Sequence, residues 1–550
     1  MALTLTINGQ SIEARKELSL FEHAEALDID VPTSCRKQGK CRECMVEVVE
    51  GLDALSPITE AERHLRGKFR LSCQTRVVAD RGHVRCHTMR RGQMRIERQA
   101  LGLPVSHAAM PLDPAVRRDG DRILIDGVEV DRSTGPIHGL AMDLGTTTVV
   151  LRLLDLETGE LIADTSLENP QRFGGAEVMS RIAYDTEHPG RLLLRTLAGY
   201  LTHAIEKFPV DPKTIYEMVV VGNSTMRDLF FRQSVYSIGQ TPYRSITEIE
   251  MAEGRRVTTS LVQTGLRSLL PIHPGARVYG APIISGHVGA DAAACMLAVD
   301  LAHENRLVAI MDIGTNTELI VGNRHRILVA SCPAGPAFEG GAIACGMPAL
   351  DGAIEDVAIA DDGSFRLGVI GNLDPEGICG SGLVDMLSEL LRTGRMNAMG
   401  RFEDGEQSVT LWSGDDEGED IYLLESDVNE LAQAKGANVA GLHVVFSTYG
   451  IDFDDIDVFY LAGGFGRHLD VEASQRIGLV PRMLPGKMVQ AGNIAIEGAT
   501  MALLSRRKRA ELEELVKRVE HCRLEAHPRF FDFFVEGCQF KPVEALPCAR

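Results

Sequence analysis

Four cysteines constrain this chain of 550 residues more than any other feature. Cys35, Cys41 and Cys44 fall at C-x₅-C-x₂-C spacing, and Cys73 follows after a gap. Four soft thiolates, close together but not on one regular helix, are what a [2Fe–2S] cluster needs, two per iron. A structural zinc site usually takes two short C-x-x-C-type pairs, and this stretch has one. Gly39, inside the loop, lets the backbone curl so that N–H groups face the sulfurs. The expected ligands are therefore Cys35, Cys41, Cys44 and Cys73. Cys86 sits in a strand pattern and reads as a packed thiol.

Around this loop, residues 1–88 read as one small β-rich domain. Leu3–Ile7, an Asn8-Gly9 turn and Ser11–Ala14 form a hairpin pattern. Leu20–Leu27 suits a helix, and Met45–Val49, Cys73–Val78 and His83–His87 suit strands. The layout resembles the ferredoxin β-grasp fold, and the x₅ spacing resembles the adrenodoxin-like subgroup. Residues 89–137 read as a linker with a basic stretch and the strand Arg122–Ile125. From His138 to about Leu503 apolar strand patterns alternate with helical ones, an α/β signature. The lobes are expected at 138–300 and 301–550, the second carrying a charged helix, Arg506–His521, and an aromatic segment, Phe530–Phe534. The net charge of −20, with dispersed acids, argues against nucleic acid as partner. No apolar run of about 20 residues predicts a membrane span. The first residues lack a signal peptide's basic start and apolar core. With twelve cysteines, this reads as a cytoplasmic protein with reduced thiols.

A second site lies in the α/β part. Asp143-Leu144-Gly145-Thr146-Thr147-Thr148 and Asp312-Ile313-Gly314-Thr315-Asn316-Thr317 are near copies, each placed as strand, tight turn and returning strand. Glycine lets the backbone approach a phosphate, and neighbouring N–H and hydroxyl groups donate to its oxygens. An Asp at each strand end, Asp143 and Asp312, can hold Mg²⁺ through water or orient an attacking water. A third loop, Ala462-Gly463-Gly464-Phe465-Gly466, suits a nucleoside. There is no G-x-x-x-x-G-K-[ST]. Gly340 and Gly341 are candidates for the nucleotide floor. Glu339 suits a metal or water-positioning role or a structural one. Asn223 suits phosphate contact or a helix cap.

These three loops, in this order, resemble the phosphate-1, phosphate-2 and adenosine motifs of the actin, heat-shock ATPase and sugar-kinase superfamily. Ser285–Ala293 and Asn493–Ala499 fall where that superfamily has its connecting helices. The resemblance implies two lobes hinged over a cleft for ATP and Mg²⁺, held by Gly145, Thr146, Thr147, Gly314, Thr315, Asn316, Gly340, Gly341, Gly463, Gly464 and Phe465. A ferredoxin domain joined to such an ATPase resembles the reductive activators of corrinoid-dependent methyltransferases. So do Val221–Met226, Cys332–Gly340 and Gly377–Leu383. This resemblance implies ATP-dependent return of a Co(II) corrinoid to Co(I) with an electron from the cluster. The implied partners are a corrinoid-containing methyltransferase or corrinoid protein and an external low-potential electron donor, with a homodimer allowed. Two other readings share the motifs: a small-molecule kinase with a redox-regulatory domain, and a non-catalytic ATP-binding adaptor.

Overall fold

The computed structural model describes residues 2–89, 100–414, 420–464, 466 and 468–544. The basic stretch at 90–95, Phe465 and Cys548 lie outside the described residues. The chain builds a β-grasp ferredoxin domain followed by a two-lobed α/β body.

The ferredoxin sheet runs Gln10–Glu13, Leu3–Ile7, Gly82–Thr88, Met45–Glu50, Phe69–Leu71 in space. Leu3–Ile7 pairs parallel with Gly82–Thr88, and the other pairings are antiparallel. Alternation places Leu3, Leu5 and Ile7 inward, against Phe21 and Val84. The helix Leu20–Ala26 starts at a capping box, where the Ser19 N–H donates to Glu22 and the Glu22 N–H donates back to Ser19 Oγ. Residues 73–78, expected as a strand, begin in a turn at 72–74, and Arg76 and Val77 then make single bridges to Ser19 and Leu55. The N–H groups of Gln74 and Thr75 both donate to the Leu71 carbonyl, and the reversal brings Cys73 against Cys44.

The two lobes repeat one topology. In the first, Leu161–Glu168, Thr148–Asp155 and His138–Leu144 form a meander, followed in space by Ile215–Gly222, Arg277–Gly280 and Leu261–Thr264. In the second, the meander Val308–Asp312, Thr317–Asn323, Arg326–Cys332 has Val458–Ala462 and then Met488–Gly492 beside its first strand. In each lobe the strand next to the meander's first strand is parallel to it. The copied loops, Asp143–Thr148 and Asp312–Thr317, are thus the first hairpins of two equivalent sheets.

The connecting helices Ala290–Ala298 and Ile494–Leu504 pack on each other between the lobes. A Cβ at Gly498 would lie 2.1 Å from the Ala294 carbonyl oxygen, so only glycine allows this crossing. The segment before the first lobe is more than a linker. Val116–Asp119, Arg122–Ile125 and Val128–Arg132 form a three-stranded antiparallel sheet, with Val116 and Ile123 in the core that surrounds the connecting helices and joins the two lobes. Upstream, the His107 N–H donates to Glu497, on the second connecting helix, at 2.9 Å, and the Arg152 guanidinium donates to the same carboxylate at 2.8 Å. Burial alone would raise Glu497, but these partners hold it down at about 2.

Two C-terminal details depart from the sequence pattern. The charged helix stops at Leu515, because Val519–His521 joins the second sheet beside Ile327–Val329. In the helix Phe530–Gly537, Phe533 is buried while Phe531 is 72% exposed. No helix among the described residues is long and apolar enough to cross a membrane.

Candidate functional site

The cysteine loop is wound more tightly than its glycine alone provides. Arg36, Lys37 and Arg42 adopt left-handed conformations along with Gly39. Such residues cost about 1 kcal/mol or more each and persist where the surroundings dictate them. A Cβ at Gly39 would meet Ala61 Cβ at 2.9 Å, so the loop also closes against the 60–62 turn. Cys44 and Cys73 are buried and 3.3 Å apart at sulfur, while Cys35 and Cys41 are half-exposed. The Cys44 thiol, the Gln74 amide and the Gly39 N–H donate to Cys73 and lower it to about 6. N–H groups of Cys41, Lys40 and Gln38 outweigh burial and lower Cys35. Four sulfurs gathered from the loop and from Cys73, with Cys35 and Cys73 lowered toward the thiolate, fit a [2Fe–2S] cluster. Cys86 lies fully buried in its strand, and burial pushes it up to about 12.

The second site is the cleft between the lobes. Asp143, Gly145, Thr146 and Thr147 line it from one lobe, and Asp312, Gly314, Thr315 and Asn316 from the other. Gly463 and Gly464 complete the wall. Gly463 is placed there by sheet pairing, with a φ of +108° and its Cα edge against the Ile313 carbonyl, where a Cβ would come within 2.3 Å. Gly340 and Gly341 do not line the cleft; Phe338, Glu339 and Met347 do.

The two phosphate loops touch. Thr147 and Thr315 donate to the same Glu339 oxygen, at 2.7 and 2.5 Å, and their hydroxyls are 3.0 Å apart. Asn223 caps the helix Ser224–Phe230, as the helix-cap reading expected, and its amide also donates to Thr146 Oγ1 in the phosphate loop at 2.8 Å. Asn493, at the start of the second connecting helix, donates to Asp143 at 2.9 Å. The Cys295 thiol, from the first, donates to Asp312 at 3.6 Å.

The electrostatics are dominated by acids. Asp143, Asp291, Asp312, Glu318 and Glu339 all line one cleft. Burial pushes Asp143 up to about 6, and burial with the Asp143 charge pushes Asp312 up to about 7. Asp291 rises to about 7 for the same reasons, and burial with the Asp291 and Asp312 charges raises Glu318. Carboxylates held this close, away from water, call for a divalent cation, and hard oxygen ligands suit Mg²⁺. Threonine hydroxyls beside them suit a polyphosphate. The donor set therefore fits Mg-ATP. The sequence reading assigned no role to Asp291, Glu318 or Asn493. The signal for Asp291 was a single acid at the start of an otherwise apolar alanine helix. Met347 carried none, because only the fold brings it to the cleft.

The ferredoxin domain packs directly on the first lobe. Tyr184 and Tyr200 donate to the carbonyls of His64 and Glu43, each at 2.7 Å, and His203 pairs with the Glu43 carboxylate at 3.1 Å. Arg172 pairs with Glu168 in the lobe and with Glu47 in the ferredoxin domain, and the charge of cleft-lining Glu339 adds to these partners in raising it.

Comparison with known proteins accounts for both sites. Residues 5–78 match the 2Fe-2S iron-sulfur cluster binding domain, 138–304 the RACo middle region, and 306–548 the C-terminal domain of RACo, the ASKHA domain. The chain is 32% identical over 447 residues to the corrinoid activation enzyme RamQ of Eubacterium limosum, covering 76% of this chain and 73% of that one. It is 25% identical over 427 residues to the [Co(II) methylated amine-specific corrinoid protein] reductase of Methanosarcina barkeri, covering 72% and 76%. The solved structure of a reductive activator for corrinoid,iron-sulfur protein superposes with a TM-score of 0.72 at 25% identity, over 98% of this chain and 99% of that one. By domain order, cysteine loop and cleft, this chain belongs to the RACo family of corrinoid activation enzymes.

Proposed function

We propose that this protein is an ATP-dependent reductive activator that returns the inactive Co(II) form of a corrinoid protein to Co(I). The observation that carries this is the direct packing of the four-cysteine loop domain on the lobe whose phosphate loop faces the acidic cleft. A bound [2Fe–2S] cluster supplies one-electron storage, and Mg-ATP supplies free energy. The need for energy follows from the chemistry: each 100 mV of uphill one-electron transfer costs about 2.3 kcal/mol.

In this reading Cys35, Cys41, Cys44 and Cys73 are the cluster ligands, and Cys35 and Cys73 are already lowered toward the thiolate by the groups that donate to them. Asp143 and Asp312 hold Mg²⁺ or its water, and Thr146, Thr147, Thr315 and Asn316 bind phosphate. Glu339, bridging the two loops through Thr147 and Thr315, registers whether the lobes are closed. Arg172 links that register to the ferredoxin domain through Glu47. The electron donor is an external low-potential carrier.

The test mixes reconstituted protein, a Co(II) corrinoid protein, a one-electron reductant and Mg-ATP, and follows the Co(I) absorption band. Co(I) forming only with Mg-ATP is the expected result. No Co(I), while a relative activates the same corrinoid protein, sinks the reading.

A further inference from the structure

A second recess, of about 780 Å³, opens beside the cysteine loop where the ferredoxin domain meets the first lobe. Lys40 and Arg42 line it from the cysteine loop itself, Arg63 and His64 from the following turn, and Arg195 from the lobe helix Leu192–Glu206. Glu60 is the carboxylate in the lining, and Arg63 pairs with it at 2.8 Å. Among the described residues no carboxylate pairs with Lys40, Arg42 or Arg195, and Arg42 and Arg195 repel each other. Two polar atoms there are buried without a hydrogen-bond partner, Arg42 Nε and His64 Nε2, and His64 as a whole is 9% exposed. Buried nitrogens left without a partner are costly unless a bound group fills the site, and the exposed Lys40 and Arg195 add positive charge around it. The chain elsewhere is strongly acidic, with a net charge of −20, so a cationic hollow here is a local exception.

We propose that this recess receives carboxylate side chains of an acidic one-electron carrier protein, which docks there to reduce the cluster. The proposal rests on the reading of Cys35, Cys41, Cys44 and Cys73 as cluster ligands. Its geometry follows from the loop: Lys40 and Arg42, in the recess wall, flank the half-exposed Cys41. A carrier seated there has its redox centre on the open side of the cluster. One electron leaves the reduced carrier and enters the oxidised cluster, and no bond forms or breaks. Opposite charge steers such encounters, raising association rates by roughly tenfold or more at low salt.

The experiment uses the full chain with its cluster reconstituted. Reduced flavodoxin, an acidic carrier, and reduced methyl viologen, a small cation, are each mixed with it in anaerobic stopped flow. Bleaching of the cluster gives the second-order rate. Arg195 is exposed and lies outside the ferredoxin domain, so Arg195→Glu is expected to keep the cluster spectrum. It should slow reduction by flavodoxin about tenfold at low salt and flatten the salt dependence. Reduction by methyl viologen should not slow, and Arg195→Lys should behave as the parent. A parent rate with flavodoxin that ignores salt, an unchanged rate in Arg195→Glu, or equal slowing with methyl viologen overturns the proposal. Cobalt reduction enters none of these readouts, so failure of Co(I) formation with carrier docking intact sinks the activator reading alone.

Discussion

At the scale of single residues, the cleft acids set a pH dependence. Asp312 is raised from its ordinary value of 3.8 to about 7, so the folded state holds a proton there that the unfolded chain has released. The stability this contributes is fully present below about pH 4 and is lost as pH rises through 7. If Asp312 holds Mg²⁺, as proposed, the cation supplies the missing positive charge above that point. The expected outcome is a Mg²⁺-induced rise in melting temperature that is larger at pH 8 than at pH 6, read by thermal unfolding with and without Mg²⁺. An equal shift at both pH values contradicts it. The cysteines give a second test. Cys73→Ser should abolish the visible absorption of the reconstituted cluster, whereas Cys86→Ala should retain it, because Cys86 lies in the core of its strand.

At the scale of elements, the crossing of the two connecting helices controls the cleft. Gly498 sits on the Ala294 backbone with no room for a methyl group. Gly498→Ala therefore pushes the helices apart, at about 1–3 kcal/mol for overpacking. The same helices carry Asn493 to Asp143 and Cys295 to Asp312. The variant should melt earlier and bind ATP more weakly, by calorimetry, while the cluster spectrum stays unchanged. Normal ATP affinity in a destabilised variant would show that the crossing supports the fold but does not set the cleft.

At the scale of the whole molecule, the ferredoxin domain is held to the first lobe by Met45 and Met89 in the lobe's core and by a ring of polar contacts and ion pairs. Tyr184 and Tyr200 each donate to a ferredoxin carbonyl, and each bond is worth about 1 kcal/mol. Changing both to Phe should loosen the domain without touching cluster or cleft. The expected result is faster proteolysis between the domains and a smaller effect of ATP on cobalt reduction, with ATP affinity and cluster absorption retained.

Much of this protein was legible before folding was considered. The spacing of Cys35, Cys41 and Cys44 and the copied loops at Asp143 and Asp312 are local chemistry, since thiolate and phosphate ligands need those residue types close in sequence. Strand alternation and the Ser19–Glu22 capping pair act over a few residues, so they too can be read along the chain. The strand Arg122–Ile125 was legible, but its flanking strands, the turn after Leu71 and the early end of the helix at Leu515 were not; at Leu515 the pairing of Val519–His521 with the distant Ile327–Val329 overrode the local pattern. What only the tertiary structure decided was convergence. It gathered Asp291, Glu318 and Glu339 around the two aspartates, and set Arg195 across from Arg42 beside the cysteine loop. Electrostatic energy depends on distance in space, and a sequence fixes that distance only once every layer between the partners has packed.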